Sequence, residues 1–326
     1  MQPNPAIRAL IDQPALLHAE QDFHAAAITA WRNGAEAAAV LADFAAYADG
    51  QPLSALRALG ALFNGHGGGR ALVTGLCRAM VAAMAEAPFG QVPLRHHVSR
   101  AATTVMLARA NGHAGHEASL SLVALDGAGL ALEPAAVSAT FAPAEEWDLV
   151  VCGQGTGRLV ENHSAPRLAQ HPLAFAPGLA LGRDAAREAL LVDRVDGVLL
   201  LLRLRRRRPG PAPTRELDLA SGRQLHQAAS SAQDSRHEIA VALLGRMGRK
   251  DAAPVLAEIA RDAGQGDMLR WQSVRECLGL DTLAGFRALS ALAARGGDPL
   301  AAAAGALRAQ LIEQYPVLAE IQPCPA

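Results

Sequence analysis

The chain has 326 residues, of which 51% are hydrophobic and 19% charged, with a formal net charge of −1 at pH 7. That length accommodates two or three domains with a sizeable core, and so apolar a composition excludes disorder over most of it. A charge balance this even supplies no global field toward nucleic acid or an anionic membrane.

The first region reads as helical. Pro14 suits a first turn, and Leu16, Leu17, Phe23, Ile28 and Trp31 make a loose stripe up to the stop signal Asn33-Gly34. A second helix is predicted from about Ala35 to Ala48, ending near Asp49-Gly50. A third starts with Pro52 and carries Leu53, Leu56, Leu59, Leu62 and Phe63; a fourth carries Leu72, Leu76, Met80 and Met84. Four helices with short connections suggest an antiparallel array or bundle.

After Pro88 and Pro93 the period changes from helical to alternating. Short strands are predicted at 103–107, 119–123, 130–133, 137–141, 148–151, 188–192, 198–205 and 215–219. Asn111-Gly112, Asp126-Gly127 and Asp196-Gly197 serve as turn signals between them. Strands of this length and spacing point to an antiparallel sandwich, jelly roll or barrel.

From about residue 226 the helical period returns, in pieces near 235–247, 251–263, 268–279, 282–294 and 299–313. RHEIAVALLGRMGRKDAAPVLAEIARD (236–262) runs an apolar helix into Leu-Gly, a polar turn, and Ala-Pro-Val-Leu opening a second helix. It resembles a HEAT-type repeat. A looser echo follows at 269–298, with Arg270 and Gly279 each 34 positions after Arg236 and Gly245. The resemblance implies a stack of helical hairpins and a surface suited to a macromolecular partner. Arg270, Trp271 and Arg275 are the candidate contacts on it, with a core position the alternative for the tryptophan.

Chemistry is concentrated in few places. GHAGHEASLSL (112–122) places His113, His116 and Glu117 in a glycine-bearing loop before a strand. The set resembles the metal-binding histidines and glutamate of cupins, which implies a small barrel holding a divalent metal with His163 as the distant ligand. The spacing departs from that pattern, because adjacent His116 and Glu117 would face opposite sides of a strand. A hairpin loop facing water is the alternative. His96-His97 reads as a polar boundary pair, and His18, Glu20, Asp22 and His24 as a solvated helix face. NGHGGGR (64–70), ending in Arg70, reads as a helix connector, and GQGTGR (153–158) as a glycine-rich hairpin turn. In RLRRRR (203–208), alternation puts Arg203, Arg205 and Arg207 on one side of a strand. Either they contact nucleic-acid phosphates, or they guard an exposed sheet edge before the prolines that follow. The guarded edge is the favoured reading.

Lys250 is the only lysine, and the arginine bias fits a GC-rich bacterial genome. Cys77, Cys152, Cys277 and Cys324 form no CxxC pair, no signal peptide opens the chain, and no apolar run reaches membrane-spanning length. The cytoplasm is the expected compartment. The sequence thus predicts an α+β protein: an N-terminal helical array (1–93), a central antiparallel β-sandwich or jelly-roll-like domain (94–225), and C-terminal HEAT-like helical repeats (226–326). The expected function is non-catalytic binding of a protein partner or small ligand, without a cofactor. A cupin-like metal-dependent enzyme and a nucleic-acid binder are the alternatives.

Overall fold

A computed structural model of the chain describes residues 14–65, 67–113, 115–163, 167–210, 212–229 and 232–321. The fold is α+β, with helices before and after a central antiparallel sheet. Two compact units emerge where three regions were expected: Met1–Pro209 with Asp218–Arg223, and Gly210–Leu217 with Gln224–Ala326.

In the first unit, α1 (Pro14–Asn33), α2 (Ala35–Ala48), α3 (Arg57–Leu62) and α4 (Gly68–Glu86) precede the strands. These are β1 (His96–Val98), β2 (Ala102–Asn111), β3 (Glu117–Asp126), β4 (Ser138–Phe141), β5 (Ala144–Glu161), β6 (Ala169–Phe175), β7 (Ala180–Asp184) and β8 (Glu188–Arg207). The expected strand at 130–133 is instead the last residue of a one-turn helix, α5 (Gly127–Leu130), and the turn after it; Asp126 caps the helix, accepting from Gly129 N at 2.9 Å.

The sheet runs β1-β2-β3-β8-β5-β6, with β7 also paired to β5. Strand parity divides its side chains. Leu202, Leu204, Leu120, Leu122 and Leu149 turn to the helices and share one core with Phe44, Tyr47, Leu59, Leu72 and Leu76. The N-terminal helices are therefore not a separate bundle, because the stripes of α2 to α4 are buried on the sheet. Arg206, of the same parity, sits over the Tyr47 ring at 4.1 Å and donates to the Tyr47 and Gln51 carbonyls at 2.8 and 2.7 Å.

The opposite parity lines an interior. Val123, Val150, Leu199 and Leu201 meet Phe175 and Val195 there. Both ends of β8 contribute to one cavity, including Leu191 and Arg203. Twelve residues of straight strand span about 40 Å, whereas a cavity of about 310 Å³ is about 8 Å across as a sphere. The β5–β8 ribbon must therefore fold over on itself, making two facing layers from one sheet.

The bend explains two misread segments. GQGTGR lies inside β5 and Asp196-Gly197 inside β8, so neither is a hairpin turn. The register shifts between Val150 and Cys152 and again between Cys152 and Gln154, and Gly153 and Gly197 adopt φ of +91° and +74°. Left-handed glycines serve bulges as readily as turns.

The second unit holds β9 (Thr214–Asp218) paired with β10 (Gln224–Ala228), of which Asp218 belongs to the first unit. The helices α6 (Ala232–Arg246), α7 (Ala253–Arg261), α8 (Asp267–Leu280), α9 (Thr282–Ala293) and α10 (Ala301–Gln314) follow. Leu256, Leu269, Val274, Phe286, Leu289 and Leu292 form its core. Among the described residues no helix is long and apolar enough to cross a membrane.

A Cβ at Gly153 would sit 2.1 Å from the Val198 carbonyl oxygen, whereas one at Gly197 meets nothing within 4 Å. Gly153→Ala is expected to cost about 3 kcal/mol and Gly197→Ala about 1 kcal/mol, read from urea midpoints at constant slope. Equal costs would show that the bend does not depend on that close approach.

Candidate functional site

The interior beyond Leu201 and Val150 is charged. Directly opposed residues on neighbouring strands supply the charges: Glu146 faces Arg183 of β7, and Asp148 and Glu146 face Arg203 and Arg205 of β8. Arg183 pairs with both Glu146 and Asp148 through its two terminal nitrogens. Arg203 Nε lies 2.7 Å from Asp148 Oδ1, and Arg205 Nε lies 3.0 Å from Glu146 Oε1. Farther along the same face Arg207 Nη2 lies 2.9 Å from Glu117 Oε2, and Arg109 pairs with the other oxygen.

Exposure grades across this cluster. Asp148, Arg183 and Glu146 keep 4%, 5% and 11% of their side-chain surface, whereas Arg203 and Arg205 keep 30% and 41%. Arg203 and Arg205 keep the exposed surface, while Arg183 is as buried as Asp148. Burial alone raises the Asp148 carboxyl, but the Arg203 and Arg183 guanidiniums outweigh it and hold the group below the usual carboxylate range. Arg183 Nε is buried without a hydrogen-bond partner.

A cavity of about 310 Å³ opens against these arginines. Arg183, Arg203 and Arg205 share its wall with Ser138 and Thr140 of β4, Glu188, and the apolar Ala185, Ala189, Leu190 and Leu191. The lining thus combines guanidinium groups, carboxylates and hydrocarbon.

The arginine run therefore sits differently from the sequence reading. β8 is a central strand between β3 and β5, so Arg203, Arg205 and Arg207 guard no edge. They do share one side, as alternation required, and on that side they pair with Asp148, Glu146 and Glu117. Glu146, Asp148 and Arg183 were missed. Acids at 146 and 148 alternate with the same period as the arginines at 203 and 205, and that complementarity was the available signal.

The four metal candidates do not converge. His113 donates its backbone N–H to Asp49 Oδ1 at 3.0 Å, and its Nδ1 lies 2.8 Å from the same oxygen. The bond to Asp49 pushes the imidazole above its usual range. His116 Nδ1 reaches the Arg207 carbonyl at 3.3 Å, Glu117 pairs with arginines, and His163 pairs with Glu161. Among the described residues no group of three or more His, Cys, Asp or Glu side chains could hold a metal. Gly112 and His113 dock on the end of α2, where a Cβ at Gly112 would lie 2.0 Å from the Ala48 carbonyl oxygen. His66, inside NGHGGGR, lies outside the described residues, while Arg70 is exposed on α4.

The solvated face expected on α1 is partly a staple. His24 is buried, with Nε2 donating to the Ala87 carbonyl at 2.8 Å, and Glu20 accepts from Phe89 N at 2.7 Å. In the second unit Arg270 is no surface contact. It is 1% exposed, with Nη2 2.5 Å from Asp298 Oδ2, Nη1 3.3 Å from Asp267 Oδ1, and Nε donating to the Ala260 carbonyl at the end of α7. Trp271 packs half-buried against the helical core, and Arg275 is exposed.

No protein-family model matches the sequence, and no curated protein matches it. Among solved structures, the chain is similar to the capsular polysaccharide assembling protein CapF from Staphylococcus aureus at 12% identity, covering 38% of this chain and 33% of that one, with a TM-score of 0.26. It is similar to a 7S globulin of Momordica charantia at 14% identity, over 40% and 36% of the two chains, with a TM-score of 0.27. The cupin domain of Drosophila melanogaster CENP-C matches at 9% identity over 36% and 87%, with a TM-score of 0.27. The chain spans about a third of the length of CapF and of the globulin.

A carboxyl whose folded pKa is depressed stabilises the fold fully above its unfolded value, near about 4, and loses that contribution as pH falls through the folded value. Asp148→Asn, which leaves Arg183 and Arg203 short of a partner, is expected to cost about 3 kcal/mol or more at pH 7. Below about pH 4 its stability is expected to fall less steeply with acid than that of the unmodified protein. Parallel pH profiles from denaturant titrations would show that Asp148 carries no charge in the cluster.

Proposed function

We propose that the chain is a binding protein whose β-sandwich takes a small anion in the arginine-lined cavity. The observation that carries this reading is the grouping of Arg183, Arg203 and Arg205 on one cavity wall, where three guanidiniums can meet a single anion. Arg203 and Arg205 keep exposed surface for the same ligand. The folded-over ribbon supports a preformed site, since β5, β7 and both ends of β8 supply much of its lining.

The C-terminal unit extends the proposal to a protein partner. Ile239 and Leu243 lie exposed at a spacing of four on α6, with exposed Met247 just past its end, on the first helix of the segment that resembles a HEAT repeat. The free thiols of Cys77, Cys152 and Cys277 suit the reducing cytoplasm.

Isothermal titration of the full chain with sodium acetate and sodium phosphate at low ionic strength tests the anion site. Saturable binding in the millimolar range or tighter is expected. Arg205→Gln is expected to weaken it about tenfold or more while leaving the melting temperature nearly unchanged, because Arg205 is the most exposed of the three arginines. Absence of saturable binding by either anion contradicts the proposal.

A further inference from the structure

Resting on the anion-binding reading, we infer that the ligand is a monocarboxylate with a short aliphatic tail. Charge counting narrows the head group. Arg183, Arg203 and Arg205 stand against Glu146 and Asp148, and Glu188 also lines the cavity, accepting from Asp184 N at 3.1 Å. These six groups sum to zero, so a monoanion leaves one excess negative charge and a dianion leaves two beside three carboxylates. In a partly desolvated site that second charge is strongly disfavoured. The outward guanidiniums also suit a planar carboxylate, which accepts two parallel N–H bonds from a single fork.

The apolar part of the lining selects the tail. Ala185, Ala189, Leu190 and Leu191 line the same cavity as the arginines, and Leu190 packs on the apolar cluster of Val150, Phe175, Val195 and Leu201. A ligand that is only a charged head would leave this surface against water. The volume of about 310 Å³ lies at the small end of the range for ligand pockets, which fits an acid of a few carbons.

The test is calorimetric titration of the unmodified full chain with acetate, butanoate and hexanoate, with inorganic phosphate as the comparator. Affinity is expected to rise about fourfold for each added methylene while the cavity still has room. Phosphate is expected to bind more weakly than butanoate. Arg205→Gln is expected to weaken every carboxylate by a similar factor, and Ala189→Leu to shorten the preferred chain. Acetate and phosphate binding with no dependence on chain length would overturn the tail and leave the anion site standing. Affinity that rises with chain length but ignores Arg205→Gln would overturn the placement of the head group. No binding by any anion would overturn this inference together with the reading beneath it.

Discussion

The Arg183 guanidinium, shared between Glu146 and Asp148, is the constraint on which the β-sandwich depends. Charges taken from water cost several kcal/mol each unless paired at close range with good geometry. Here Glu146 directly opposes Arg183 and Arg205, and Asp148 directly opposes Arg203, while Arg183 reaches Asp148 diagonally. A slip of one residue in either pairing would send Glu146 and Asp148 to the helix face and leave the arginines inside unpaired. The cluster therefore specifies register, whatever its net contribution to stability.

Register in turn sets the two faces of the sheet. With Glu146 and Asp148 inward, Trp147 and Leu149 must point at the helices, and Leu202 and Leu204 alternate with Arg203 and Arg205 in the same way. One face becomes a hydrocarbon surface that α2 to α4 cover. The other is apolar near Leu199 and Leu201 and ionic near Arg203 and Arg205. Folding the β5–β8 ribbon at Gly153 and Gly197 then brings charged and apolar residues of that second face to one cavity. Site and fold share a single cause.

Much of this architecture was legible in the residues. Apolar spacing and the stops at Asn33-Gly34 and Asp49-Gly50 placed α1 and α2, and the C-terminal periods placed α6 to α10 within a few residues. Alternation put Arg203, Arg205 and Arg207 on one side. What the pattern could not supply was the neighbour: β8 pairs with β3 and β5, so long-range topology turned an apparent edge into a central strand. Asp196-Gly197 misled for a local reason, since the same left-handed glycine closes a hairpin or bends a strand. Arg270 and His24 misled because polar residues read as solvated unless a buried carbonyl is known to await them, and Ala260 and Ala87 provide those carbonyls from other segments. The candidate site itself was half visible, in its arginines and not in the acids that hold them.

The Arg183 side chain lies both in the ion-pair cluster and on the cavity wall, and its Nε–H resonance reports on that side chain alone. Adding butanoate to isotope-labelled full chain should shift the Arg183 Nε–H signal saturably, while the exposed Arg275 signal stays in place. A titration that moves exposed arginines and leaves Arg183 unchanged would contradict the claim that this cluster is built around an anion.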